Sequence, residues 1–237
     1  MKDVTRSIKL LPVLLMATMI SCNSVEKKSE VVTDSTTVSV SPPPELKKEM
    51  FIKHKVANYA KWKPLYDADS TNRLANGLHD HIVARGNDDP NMVMVIFYMD
   101  DVAKAQTMAA DPKLKEVMKK AGVMGAPEID YVDRVMNDTS KTEQTARVMI
   151  KHKVKDFGAW KKIFDSDKQA RMDAGLSDRM VGYSVGDNHM VTLILVVNDE
   201  AKAKAFMNDK RLADKMKEGG VEGPPSVFFY HVVEKHS

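Results

Sequence analysis

Ile52-Lys53-His54-Lys55-Val56 returns 98 positions later as Ile150-Lys151-His152-Lys153-Val154. Laid on itself at that offset, the chain puts Trp62 on Trp160, and Asp67, Asp69, Arg73, Gly77 and Leu78 on Asp165, Asp167, Arg171, Gly175 and Leu176. Farther on, Met92-Val93 meets Met190-Val191 and Ala103-Lys104-Ala105 meets Ala201-Lys202-Ala203. Gly122-Val123, Gly125 and Pro127 meet Gly220-Val221, Gly223 and Pro225. About a third of the positions from Ile52 to Val135 are identical, and no gap is needed. That period is well above the roughly 20–50 residues of solenoid repeats, so each copy is a domain-sized unit.

Each copy reads as strand, helix, two strands, helix, strand. Phe51 to Val56 is rich in β-formers. Asn58 and Asp156 are placed to cap a helix in which Tyr59, Trp62, Leu65 and Tyr66, or Phe157, Trp160, Ile163 and Phe164, recur at helical spacing. Pro64 either kinks the first of these helices or marks a start near Lys63. Gly77 and Gly175 close the helices. Strands follow over His79 to Arg85 and over Met92 to Tyr98, the latter apolar on both faces, as is Met190 to Val197; this marks a central strand covered on both sides. Asp101 and Asp199 cap the next helical stretch, Asp111-Pro112 restarts it, and Gly122 to Pro127 and Gly220 to Pro225 read as turns before last strands from Glu128 and Ser226. The order βαββαβ is the ferredoxin-like split unit. The fold class is α+β: two tandem ferredoxin-like repeats packed sheet to sheet, an intramolecular pseudo-dimer.

The run of Trp-Lys, Gly-Leu, Asp-Asp-Pro-Asn-Met-Val, Ala-Lys-Ala and Gly-Val-x-Gly-x-Pro resembles the dimeric α/β-barrel superfamily, and most closely its small antibiotic-biosynthesis-monooxygenase-like and cyclase-like members. The resemblance spans about Phe51 to Val135 and Met149 to Val233. It implies a ferredoxin-like fold with paired sheets. The superfamily includes cofactor-free oxygenases, haem enzymes and members without assigned activity, and the sequence carries none of their catalytic motifs.

Candidate binding residues lie on the first strand of each copy. His54 and His152 share a face with Ile52, Val56, Ile150 and Val154, while Lys53, Lys55, Lys151 and Lys153 project from the other. Should the lysine face look into the space between the sheets, up to four ammonium groups would line a pocket for an anionic molecule such as a carboxylate or enolate. Otherwise they reach solvent or pair with Glu128, Asp130 or Asp133. The histidines read as acid–base groups, as ligands, or as buried hydrogen-bonded rings. His231 has no counterpart, since Asp133 occupies its place in the first copy, and such unequal positions are where activity confined to one half is to be sought. Trp62 and Trp160 read as core, and Asp69–Arg73 and Asp167–Arg171 as i,i+4 pairs. His79 and His81 have a metal-ligand spacing, but Ser177 and Arg179 replace them in the second copy, so no metal site is assigned. No motif requires a cofactor.

The first residues read as a secretion signal. Lys2, Arg6 and Lys9 precede the apolar run Leu10 to Ile20, which is shorter than the roughly 20 residues of a membrane span. Met19-Ile20-Ser21-Cys22 resembles a bacterial lipobox, and Cys22 is the sole cysteine of the 237 residues. The expected organisation is a lipoprotein signal over 1–21, an acylated Cys22 with a Ser/Thr/Val/Pro tether over 22–48, a first repeat over 49–138, a linker over 139–146 and a second repeat over 147–237. The protein would then sit in the cell envelope, held in a bacterial membrane, the outer one by expectation, through lipid on Cys22. The formal charge of +3 falls to +1 once Lys2, Arg6, Lys9 and Asp3 are removed. A near-neutral surface offers no footprint for nucleic acid. The expected function is a monomeric binding or structural module for a small anionic or apolar ligand. A cofactor-independent monooxygenase-like or cyclase-like enzyme and a haem-binding protein are the alternatives.

Overall fold

The computed structural model describes residues 46–236. The signal, Cys22 and nearly all of the tether lie outside them. In chain order the elements are β1 (Lys47–Val56), α1 (Tyr59–Ala68), α2 (Ser70–Ala75), β2 (Leu78–Gly86), β3 (Met92–Met99), α3 (Val102–Ala110), α4 (Pro112–Lys120) and β4 (Val123–Asn137). The second half repeats them as β5 (Ala146–Val154), α5 (Phe157–Ser166), α6 (Lys168–Asp173), β6 (Leu176–Ser184), β7 (Asp187–Val197), α7 (Glu200–Met207), α8 (Lys210–Glu218) and β8 (Val221–Lys235). The first expected helix of each half is two short helices, and the next helical stretch restarts at Asp111-Pro112 as the sequence implies. The side chains of Asn58 and Asp156 accept hydrogen bonds from the Lys61 and Ala159 amides at 3.0 and 2.7 Å, and Asp101 and Asp199 cap α3 and α7 in the same way. Each cap contributes about 1 kcal/mol. Pro64 lies inside α1, which starts at Tyr59 and not near Lys63.

All eight strands form one closed antiparallel barrel in the order β1-β3-β2-β8-β5-β7-β6-β4. Two four-stranded runs, β4-β1-β3-β2 and β8-β5-β7-β6, meet at both edges. The sheets therefore do more than face each other. β4 and β8, each 15 residues long, outrun the partners within their own half. The C-terminal part of β4 pairs with β6 from Val132↔Ser184 to Asn137↔Met180, and that of β8 pairs with β2. Pairing both edges leaves no exposed row of backbone donors and acceptors. Gly182 of β6 permits one of these junctions, because a Cβ there would strike Val132 and come within 2.8 Å of the Asp133 carbonyl oxygen.

The expected turns Gly122–Pro127 and Gly220–Pro225 are largely strand. Val123 already pairs with Val56, and the irregularity is confined to a register shift opposite Lys53 and Lys55, where Gly125 takes φ +73°. An extra-residue bulge of this kind needs a backbone angle that glycine adopts without strain.

Strand alternation separates two environments. Phe51, Met94, Ile96, Val132, Met149, Met180, Ile194 and Tyr230 point inward and fill the middle of the barrel. Outward residues meet the helices: Met50, Val56, Trp62, Val95, Phe97 and Met108 pack together in the first half, and Val148, Val154, Trp160, Leu193, Leu195 and Ala203 in the second.

Candidate ligand pockets beneath the helices

His54 stands on the outward face of β1 and His152 on that of β5, beneath the helices. They are 5% and 6% exposed, and neither ring nitrogen of either residue has a hydrogen-bond partner. Burial pulls each imidazole down to about 4, so both rings are neutral at pH 7. Trp62 stands 5.6 Å from the His54 ring, and Trp160 stands 5.5 Å from that of His152. Each tryptophan in turn stacks on the next aromatic along its helix, Tyr66 at 4.8 Å and Phe164 at 5.1 Å. Beside each histidine the helices leave a cavity, of about 90 Å³ in the first half and about 110 Å³ in the second. Its walls correspond position for position: Ile52 with Ile150, His54 with His152, Trp62 with Trp160, Arg73 with Arg171, Leu114 with Leu212 and Met118 with Met216.

The arginines at these pockets are fully engaged. Arg73 holds both oxygens of Asp80, at 3.0 and 2.9 Å, donates to the Tyr66 carbonyl oxygen at 2.6 Å and lies 3.9 Å from the centre of the Tyr66 ring. Arg171 does the same with Asp178, the Phe164 carbonyl oxygen and the Phe164 ring. Burial raises the Asp80 carboxyl, but hydrogen bonds from Arg73 and Tyr66 outweigh it and leave the group below its ordinary value. Each guanidinium nitrogen of these arginines thus donates to a partner, and the arginines shape one wall of each pocket. The i,i+4 partner expected from sequence is secondary, since Asp69 stands 3.9 Å away. Asp80 and Asp178 are themselves an identical pair at the 98-residue offset, a signal that would have identified the true partner.

The lysines do not assemble an anion pocket. Lys53 and Lys151 point into the barrel, where both grip Glu128, at 2.7 and 2.8 Å, and Lys151 also holds Asp130 at 2.6 Å. The acids of β4 neutralise them. Lys55 and Lys153 sit at exposed strand ends near Asp89 and Glu222. Histidines and lysines thus lie on opposite sides of the barrel wall and cannot serve one site. His231 faces outward on β8, its Nδ1 3.2 Å from Asn87 Oδ1, apart from both histidine pockets. His79 meets Asp100 at the surface, whereas His81 reaches the Tyr98 hydroxyl at one barrel mouth.

No protein-family model matches the chain, and no curated protein matches it in sequence. Solved structures do. An anthrone oxidase-like protein aligns with a TM-score of 0.55 at 11% identity, over 81% of this chain and 94% of its own. A candidate monooxygenase from Fusobacterium nucleatum gives 0.53 at 11% identity over the same shares. Another from Lactobacillus acidophilus gives 0.51 at 11% identity, over 79% and 94%. The chain shares the fold of these proteins, in keeping with the fold that the resemblance to the dimeric α/β-barrel superfamily implied. Each match spans both halves of the barrel, because neither half makes up such a share alone. At 11% identity the likeness concerns the fold and not the chemistry.

Proposed function

We propose that this protein is a small-molecule-binding module with one apolar pocket under each pair of helices, arranged as a duplicated intramolecular pseudo-dimer. The observation that carries the reading is the pair of neutral histidines whose ring nitrogens find no partner. An unsatisfied buried polar group costs about 1–3 kcal/mol, and a ligand with one hydroxyl on a compact apolar body recovers that hydrogen bond on binding. Cavities near 100 Å³ suit a single ring, by comparison with an apolar cavity of roughly 150 Å³ that takes benzene. Phenol is the natural probe. It should saturably perturb Trp62 and Trp160 fluorescence, and the double variant His54→Leu, His152→Leu should lose the preference for phenol over toluene. An unchanged preference in the double variant would sink the proposal.

A cofactor-independent oxygenase is the second reading. A neutral imidazole in a water-poor pocket accepts a hydrogen bond from a substrate hydroxyl and holds it in place for reaction with oxygen, a reading that the similar structures described as monooxygenases and anthrone oxidase-like support. Consumption of oxygen with a single-ring phenol as substrate, lost in the histidine double variant, is the measurement that separates this reading from binding alone. A haem reading would require the helices to open, because pockets for such ligands occupy several hundred Å³.

We further propose that the barrel is carried at the bacterial envelope by lipid on Cys22, supported by the lipobox-like Met19-Ile20-Ser21-Cys22 and by the absence of any other cysteine. Cys22→Ser should move the protein from the membrane fraction to the soluble fraction; unchanged fractionation counts against the anchor.

A further inference from the structure

The barrel mouth at which β1 and β5 begin does not follow the internal repeat. A cavity of about 450 Å³ opens there, covered by Thr139 to Thr145 of the linker between β4 and β5. The linker crosses to a strand three places around the ring and is pinned as it goes: the Asp138 amide donates to the Arg179 carbonyl oxygen, Arg179 to that of Ser140, and the Val232 amide to that of Thr145. The polar positions here break the internal equivalence. Glu49 corresponds to Arg147, His81 to Arg179, Tyr98 to Val196, Val132 to Tyr230 and Arg134 to Val232. The two halves therefore contribute unlike residues to one shared cavity.

Its charges do not balance. Glu49, 3% exposed, is taken up by Arg134. Arg147, 8% exposed, has no carboxylate among the described residues; its Nη1 donates to the carbonyl oxygens of Gln144 and Ala146 at 2.6 and 2.8 Å. Nε and Nη2 donate to no described residue. Beside it the Tyr230 hydroxyl is fully buried and has no partner. Arg179 and Lys235 add positive charge at the rim, against the exposed Glu143. A buried guanidinium with one free edge, next to an unpartnered hydroxyl donor, is the arrangement that receives a planar carboxylate through two parallel N–H···O bonds.

We propose that this mouth is a single-copy site for a small carboxylate with an apolar body. The carboxylate lies on Arg147 Nε and Nη2 and on the Tyr230 hydroxyl, and its hydrocarbon part rests against Ile96, Met180 and Ile194. The volume is that of a small-molecule site. The site shares no residue with the histidine pockets.

Calorimetric titration of the full chain with benzoate tests it. One benzoate should bind per chain, with benzyl alcohol giving no saturable heat. Arg147→Met should weaken benzoate by about tenfold or more, the loss of a charge-assisted hydrogen-bonded pair. Tyr230→Phe should separate site from scaffold: it weakens benzoate severalfold while raising the melting temperature of the empty protein by a few degrees, because an orphaned hydroxyl is removed. Undiminished benzoate binding in either variant overturns the proposal. So does the absence of saturable binding up to about 10 mM, or binding that disappears in the variant His54→Leu, His152→Leu.

Discussion

The helix-covered pockets and the linker-covered mouth use opposite faces of the same strands, yet the first are duplicated almost residue for residue and the second is not. The last strand of each half makes the contrast plain. Its inward positions change chemical class between copies: Glu128 and Ser226, Asp130 and Phe228, Val132 and Tyr230, Arg134 and Val232. Its outward positions stay apolar at Ile129 and Val227, Tyr131 and Phe229, and Val135 and Val233, with Asp133 and His231 the exception. Each helix pair imposes the same packing demand, and meets the same histidine, tryptophan and arginine, in both halves. The barrel interior is shared by the halves, so only their sum must pack and balance in charge.

If the helix-side pockets are equivalent, breaking either should cost the same. Arg171→Met leaves the Asp178 carboxylate at 12% exposure without its cation, and Arg73→Met does the same to Asp80. Each should destabilise by about 3–5 kcal/mol in denaturant unfolding, and a cost confined to one half would break the comparison. Acid reads the same equivalence. An unfolded histidine titrates near 6.5, whereas His54 and His152 stay neutral down to about 4. The unfolded chain therefore takes up more protons between these values, and stability, full above the unfolded value, falls as pH drops through this window. The loss is on the order of 3 kcal/mol per histidine. Denaturation midpoints between pH 7 and 4 should show it, with a shallower slope once both are replaced by leucine. The interior should answer unequally. Lys151→Met strips Asp130 of its cation and should cost about 2 kcal/mol, whereas Lys53→Met leaves Glu128 on Lys151 and should cost under about 1 kcal/mol. Equal costs would show that the lysines, too, are duplicates in function.

The repeat was legible because identities locked at one offset fix the order of elements in both halves at once. The alternation of histidine and lysine on the first strand was legible for the same reason that any strand has a period of two. Which face lay inside was not, since alternation separates two faces without saying what covers either. Arg73 was assigned to Asp69 because spacing along a helix is visible in sequence, while the approach of α2 to Asp80 on β2 is tertiary. The edge junctions depended on strands longer than their turn residues suggested: Gly125 bends β4 without ending it. Of the unequal positions, His231 points outward, and its neighbour Tyr230 is the residue that reaches the mouth.

The pairing of Glu49 with Arg147 at equivalent positions carries a consequence for how such a barrel can change over generations. In an assembly of two identical chains every substitution appears twice, so a glutamate at this position would confront a second glutamate, and an arginine a second arginine. Joined by the linker, the two halves are free of that mirror. One can acquire an acid while the other acquires a base, and a lopsided cavity becomes reachable by single steps that a symmetric pair of subunits could not take.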